Sequence, residues 1–349
     1  MLAVAENEVE PVAAARRNHT VEKLGVQLAA VTGLAAAYWV FWPLVRPEDP
    51  VGPLALLRLG ALDRLVAFAV GMLVLAVACG AVTIHARPEG AVLVLAAAGS
   101  GLSLHSQPIR ALLWLRDDSL GGLFWQLLGE MALLAMVMGA AVAMLGVVRG
   151  AVGRRLRRWR WRDTAAQGSH DEGGAAGRAG GSLRGFADWL VGTAADGAAR
   201  TPAARREQSL RRWLGVLTDA AVSAAIILLL MQSSDRGQVL FAVFAGCALG
   251  AMIVQMPFPG RCPLGAVVAP LLVGAAFYAV AAAGATPDGP QAWMAVPHYA
   301  KALPIDWVTV APAGSLLGHW TVMRMRESKV IDAREEQARG KDEQRQAAR

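Results

Sequence analysis

Cysteine is scarce in this chain: three in 349 residues. Cys79 and Cys247 sit inside apolar runs and Cys262 in a short turn. No spacing among them matches a disulfide framework or a zinc site, and they read as small buried hydrophobes. Charge is scarce as well. Asp, Glu, Lys and Arg make up 17% of the residues, against roughly a quarter in soluble domains, and they fall mostly outside the apolar runs. Lysine is nearly absent, 4 against 30 arginines, which fits a GC-rich coding sequence. There is no phosphate-binding glycine loop, no zinc-type His/Glu spacing, no serine elbow and no His pair spaced for haem. No cofactor or metal is expected, and nothing positive points to an enzyme. The first twenty residues carry three Glu and two Arg and lack a cleavage-type signal. They read as a mobile tail ahead of an uncleaved first anchor.

What the chain has in abundance is long apolar sequence. It is 55% hydrophobic, with a mean hydropathy of +0.40. Several runs reach the ~20 residues needed to cross a ~30 Å hydrocarbon core. The expected fold class is all-α: a polytopic integral membrane protein of about eight transmembrane helices. The spans fall near 24–45, 65–84, 89–106, 123–148, 213–232, 239–257, 264–284 and 305–323. Spans three and eight are the weakest. The third contains "GSGLSLHS", and the eighth is short and carries Pro312.

Arginine placement sets the orientation. "RGAVGRRLRRWRWRD", residues 149–163, is the densest positive cluster in the chain and belongs in the cytoplasm by the positive-inside rule. Both termini and residues 149–212 then lie inside a bacterial cytoplasmic membrane. The loops near 46–64, 105–122, 233–238 and 285–304 lie outside. Five regions follow: a cytoplasmic tail (1–20), a first four-helix half (21–148), a basic Gly/Ala-rich linker (149–212), a second half (213–323) and a charged tail (324–349). Within the linker, "LRGFADWLVG" places Leu183, Phe186 and Leu190 on one helical face, a short amphipathic helix that lies on the membrane or packs on the bundle.

Short sequence echoes relate the two halves. Phe68–Val70 returns as Phe241–Val243, and Pro88–Val92 returns as Pro263–Val267, at offsets of 173 and 175. A four-span repeat has an even count, so its copies would be parallel.

The polar residues inside the apolar runs are the site candidates, because a charge at mid-membrane costs about 2.5–3.5 kcal/mol on the insertion scale. Glu130 lies seven residues into span four, about 10 Å along a helix, in the outer third of the membrane. Gln126 is one turn earlier on the same face. His105, Arg110 and Arg116 precede it in an outer loop. Asp219 lies about 9 Å from the inner face and His319 about 7 Å, so they would pair if spans five and eight touch. Trp293, His298, Tyr299 and Lys301 lie in a Pro-rich outer loop that lines a pocket or forms an interfacial belt. Arg154, Arg155, Arg157, Arg158, Trp159, Arg160 and Trp161 suit anionic headgroups at the inner interface better than nucleic acid. Gly246–Gly250 and Gly314–Gly318 are small-xxx-small pairs that suit close helix packing.

Three readings of function remain open on the sequence. The chain is a non-catalytic scaffold or subunit of a membrane assembly, with membrane lipid and a protein partner or a second copy as its contacts. It is a solute or ion transporter using Glu130 and Asp219/His319. Or it is a lipid-modifying membrane enzyme.

Overall fold

A backbone surrounded by apolar side chains must satisfy its own N–H and C=O groups, and a helix does so within one segment. In a computed structural model, residues 20, 22–46, 62–84, 86, 88–109, 119–164, 202–256, 263–284 and 296–347 are described, residues 153–164 by their backbone alone. Among them there is no strand. Eight helices run in chain order: α1 (Glu22–Val45), α2 (Leu62–Val82), α3 (Pro88–His105), α4 (Leu120–Thr164), α5 (Pro202–Leu230), α6 (Arg236–Gln255), α7 (Pro263–Ala283) and α8 (Ala311–Ala347). They match the eight expected segments one to one. Pro88, Pro202 and Pro263 open their helices, where a missing N–H costs nothing and φ is already helical. Two helices run well past their apolar stretch. α4 carries the arginine-rich segment as continuous helix to Thr164, and α8 continues through the charged tail to Ala347.

Six of the eight, all but α3 and α8, are long and apolar enough to cross a membrane. Their exposed faces are apolar: Val66, Val70, Val74 and Val77 along α2, and Phe241, Leu249 and Ile253 along α6. The buried residues include Glu130, Arg149, Asp219, Asp306, His319 and Arg324. The distribution is the reverse of a water-soluble bundle.

The two helices that miss the apolarity mark are the central ones. α3 is buried along nearly its whole length, and the chain entering α8, from Ala302 to Leu316, is buried at every position. These two helices pack on each other. Helices enclosed by other helices have no lipid to match, so they tolerate the Gly and Ser that make spans three and eight look weak.

The glycines of α3 admit two irregular neighbours. α1 contains a π-helical turn, Ala37–Phe41, and α8 is entered through another, Asp306–Val310. Each is followed two residues later by proline, Pro43 and Pro312. Proline removes one ladder hydrogen bond and its ring displaces the carbonyl one turn back, which favours a widened turn. A Cβ at Gly101 would lie 2.3 Å from Leu34 O, and one at Gly99 would lie 2.8 Å from Thr309. Both irregular turns pack against α3 through this small-residue stretch.

The helices pack in a repeating pattern. In the first half, α2 packs on α4, α1 on α2 and α3, and α3 on α4. In the second half, α6 packs on α8, α5 on α6 and α7, and α7 on α8. Between the halves, α3 meets α8 and α7 meets α4, so the third helix of each half meets the fourth of the other. The expected glycine pairs sit inside the second half. Gly246 and Gly250 abut Ile227 and Ser223 of α5, while Gly314 and Gly318 abut the carbonyls of Phe244 and Ala248 on α6. α6 is therefore held between α5 on one side and α8 on the other.

Candidate functional site

The most tightly bonded polar cluster joins α3, α6 and the turn entering α8. Asp306, fully buried, opens the π-helical turn. Its carboxylate accepts from Arg236 Nη1 and Nη2 at 2.5 Å each, in a bidentate fork. It also accepts from the Leu303 backbone N–H at 2.7 Å and from Ser103 Oγ. Arg236 Nη2 donates in addition to the Ser103 carbonyl at 2.8 Å and hydroxyl at 3.0 Å. Four donors fill the carboxylate, as a buried charge requires. Next to it, Tyr278 donates its hydroxyl to Ala302 O at 2.5 Å. Trp307 lies over Gly274, where a Cβ would come within 2.6 Å of the ring, and meets Phe277 edge-on at 5.7 Å.

Neither Asp306 nor Arg236 was singled out from the sequence. Asp306 lies in "ALPIDW", notable there only for Pro and Trp, and Arg236 lies in a short loop counted as poor in basic residues. The available signal was a lone Asp and a lone Arg, each at the outer edge of an apolar run.

A second set of polar contacts lies at the opposite end of the bundle. Arg149, near the end of the apolar part of α4, donates to the carbonyl and hydroxyl of Thr83 and to Ala86 O, capping the end of α2. Arg326 on α8 does the same for α6, donating to Gln255 O at 2.6 Å and Met256 O at 2.9 Å. Each half thus uses a fourth-helix arginine to satisfy the last carbonyls of its second helix, groups that a helix leaves open. Arg324 pairs with Glu22 of α1 at 2.7 Å and with Glu327 at 3.0 Å, and its guanidinium lies 5.3 Å from the Trp320 ring centroid.

The expected residues distribute as follows. Glu130 is 2% exposed and takes part in contacts within the bundle. Its carboxylate and that of Asp306 both reach Tyr278 electrostatically, which places Glu130 on the α4–α7 joint between the halves. Gln126, one turn away, is exposed. Asp219 is 4% exposed, and its hydrogen bond comes from Ser223 Oγ at 3.2 Å. His319 is 1% exposed.

The expected Asp219–His319 pair does not form. α6 stands between α5 and α8, seated against both through the glycine pairs. The carboxylate that acts on His319 is Glu89 of α3. Helix register explains the choice, since α3 and α8 run antiparallel with Gly99 against Thr309. Ten residues further along each helix lie Glu89 and His319.

His105 stacks between Tyr38 at 3.6 Å and Trp42 at 4.7 Å on α1, away from Glu130. His298 Nδ1 lies 3.0 Å from Lys301 Nζ in a short 3₁₀ turn. Burial pushes the Lys301 ammonium below its usual pKa. Arg110, Arg116, Trp293 and the 183–190 segment lie outside the described residues. So do the side chains of Arg154, Arg155, Arg157, Arg158, Trp159, Arg160 and Trp161. Among the described residues, no group of three or more His, Cys, Asp or Glu is placed to hold a metal ion. No family model, no curated protein and no solved structure matches the chain.

Proposed function

We propose that the chain is a polytopic protein of the bacterial cytoplasmic membrane, with eight spans in two parallel four-helix halves and both termini in the cytoplasm. Within that membrane it acts as a non-catalytic scaffold or subunit of an assembly. The observation that carries this reading is where the buried polar groups direct their hydrogen bonds. Asp306, Arg236 and Ser103 bond one another, Arg149 and Arg326 bond helix-end carbonyls, and Arg324 bonds two glutamates. Each contact fastens one helix to another or closes a helix end. The matched packing of the two halves, and the matched arginine caps, support duplication of a parallel unit.

The test is purification of the full chain from native membranes in mild detergent. A stoichiometric partner or a defined oligomer is expected. A lone monomer that drives solute uptake when reconstituted in liposomes would overturn the reading. A cysteine at position 159 should react with impermeant label only from the cytoplasmic side.

One observation favours a transporter as the second reading. Asp219 has Ser223 as its hydrogen-bond donor and no cationic partner among the described residues, in the middle of the α5 span. A lone carboxylate in such a place is a common mark of proton or ion handling. Loss of flux in Asp219→Asn, with protein level unchanged, would establish it.

A further inference from the structure

The two halves touch through polar groups at both ends of the α3–α8 joint, and the two ends differ. At the Asp306 end, Ser103 of the first half makes three hydrogen bonds to Asp306 and Arg236 of the second. Leu303, Ile305, Asp306 and Trp307 around it are fully buried, and the glycines of α3 hold the backbones in close contact. At the Arg324 end, the first half presents carboxylates, Glu22 and Glu89, and the second presents bases, Arg324 and His319. The ion pair here is Glu22–Arg324, with the Glu22 side chain 17% exposed. Glu22 begins α1, the least buried of the six apolar helices. Arg324 also holds Glu327, one turn along its own helix. If Glu22 leaves, the guanidinium keeps a carboxylate partner, so release strands no buried cation.

We propose that the halves are joined by a fixed clamp at the Asp306 end and a releasable latch, Glu22–Arg324 backed by Glu89–His319, at the other. Relative motion of the halves pivots at Ser103–Arg236–Asp306 and opens the Arg324 end. The pivot is a property of the joint and holds for a scaffold or a transporter.

Paired spin labels on the full chain in nanodiscs test it, with Cys79, Cys247 and Cys262 replaced by alanine. One pair, Val82→Cys with Lys329→Cys, spans the halves at the latch end. The other, Gln107→Cys with Ser234→Cys, spans them at the clamp end; all four positions are exposed. Glu22→Gln is expected to add a second population to the latch-end distances, about 5 Å longer, the scale of one helix turn. The clamp-end distances should stay single. The reversed pair Glu22→Arg with Arg324→Glu should restore the short latch-end distance. A latch-end distance unmoved by both Glu22→Gln and Arg324→Gln overturns the proposal, as does a clamp-end distance that lengthens with them.

Discussion

Asp306 and Asp219 are both aspartates buried among helices of the second half, and they are treated in opposite ways. Asp306 receives a bidentate arginine, a backbone N–H and a serine hydroxyl. Asp219 receives one serine hydroxyl from its own helix. The first carboxylate is fixed in its charged form by its surroundings and ties three segments together. The second sits beside Ser223 and Cys247 and ties nothing to a neighbouring helix. Burial alone therefore says little about what an intramembrane acid is for, and the number and origin of its donors says more.

Four substitutions test that contrast, from the largest expected effect to the smallest. Asp306→Ala leaves Arg236 buried without its counter-charge and should destabilise the fold by about 3–5 kcal/mol. The loss should appear as a collapse of folded yield or of the unfolding midpoint in SDS titration. Gly250→Ala pushes a Cβ to 2.1 Å from Ser223 Oγ, which must shift α5 from α6. A loss of about 1–3 kcal/mol is expected, together with a change in the reactivity of Asp219 toward an apolar carbodiimide. Ser103→Ala removes one donor from Asp306 and should cost about 1–2 kcal/mol in the same titration. Asp219→Asn should leave stability within about 1 kcal/mol of the unaltered chain. A loss as large as that of Asp306→Ala would erase the distinction between the two acids.

The eight helices were legible because apolar run length reports lipid exposure directly. The reading was least secure for α3 and α8, and the structure supplies the reason: they are the enclosed pair, so their Gly, Ser and Thr content follows from neighbours rather than from lipid. The candidate site was less legible. Glu130, Asp219 and His319 could be recognised as buried from their place in apolar runs, but their partners could not. Arg236 and Asp306 are 70 residues apart, and Ser103 lies 133 residues from Arg236. Which helices touch decides such meetings, and hydrophobic patterning carries no information on it. The Asp219–His319 expectation rested on comparable depth, and the intervening α6 separates the two. Glu89 sits in the first turn of α3, where an acidic residue already suits the helix dipole, so nothing in the sequence marked it as the neighbour of His319.

The widened turn at Asp306–Val310 also sets the angular phase of everything beyond it. One residue advances an α-helix by about 100°, and a π turn carries one residue more than the α-helical turn it replaces. Excising a single residue from that turn would restore an ordinary helix and swing the rest of α8 by roughly that angle. Gly314 and Gly318 would then point away from the α6 carbonyls they abut, and Arg326 away from the helix end it closes. A one-residue deletion there should be more damaging than almost any side-chain replacement in the same stretch.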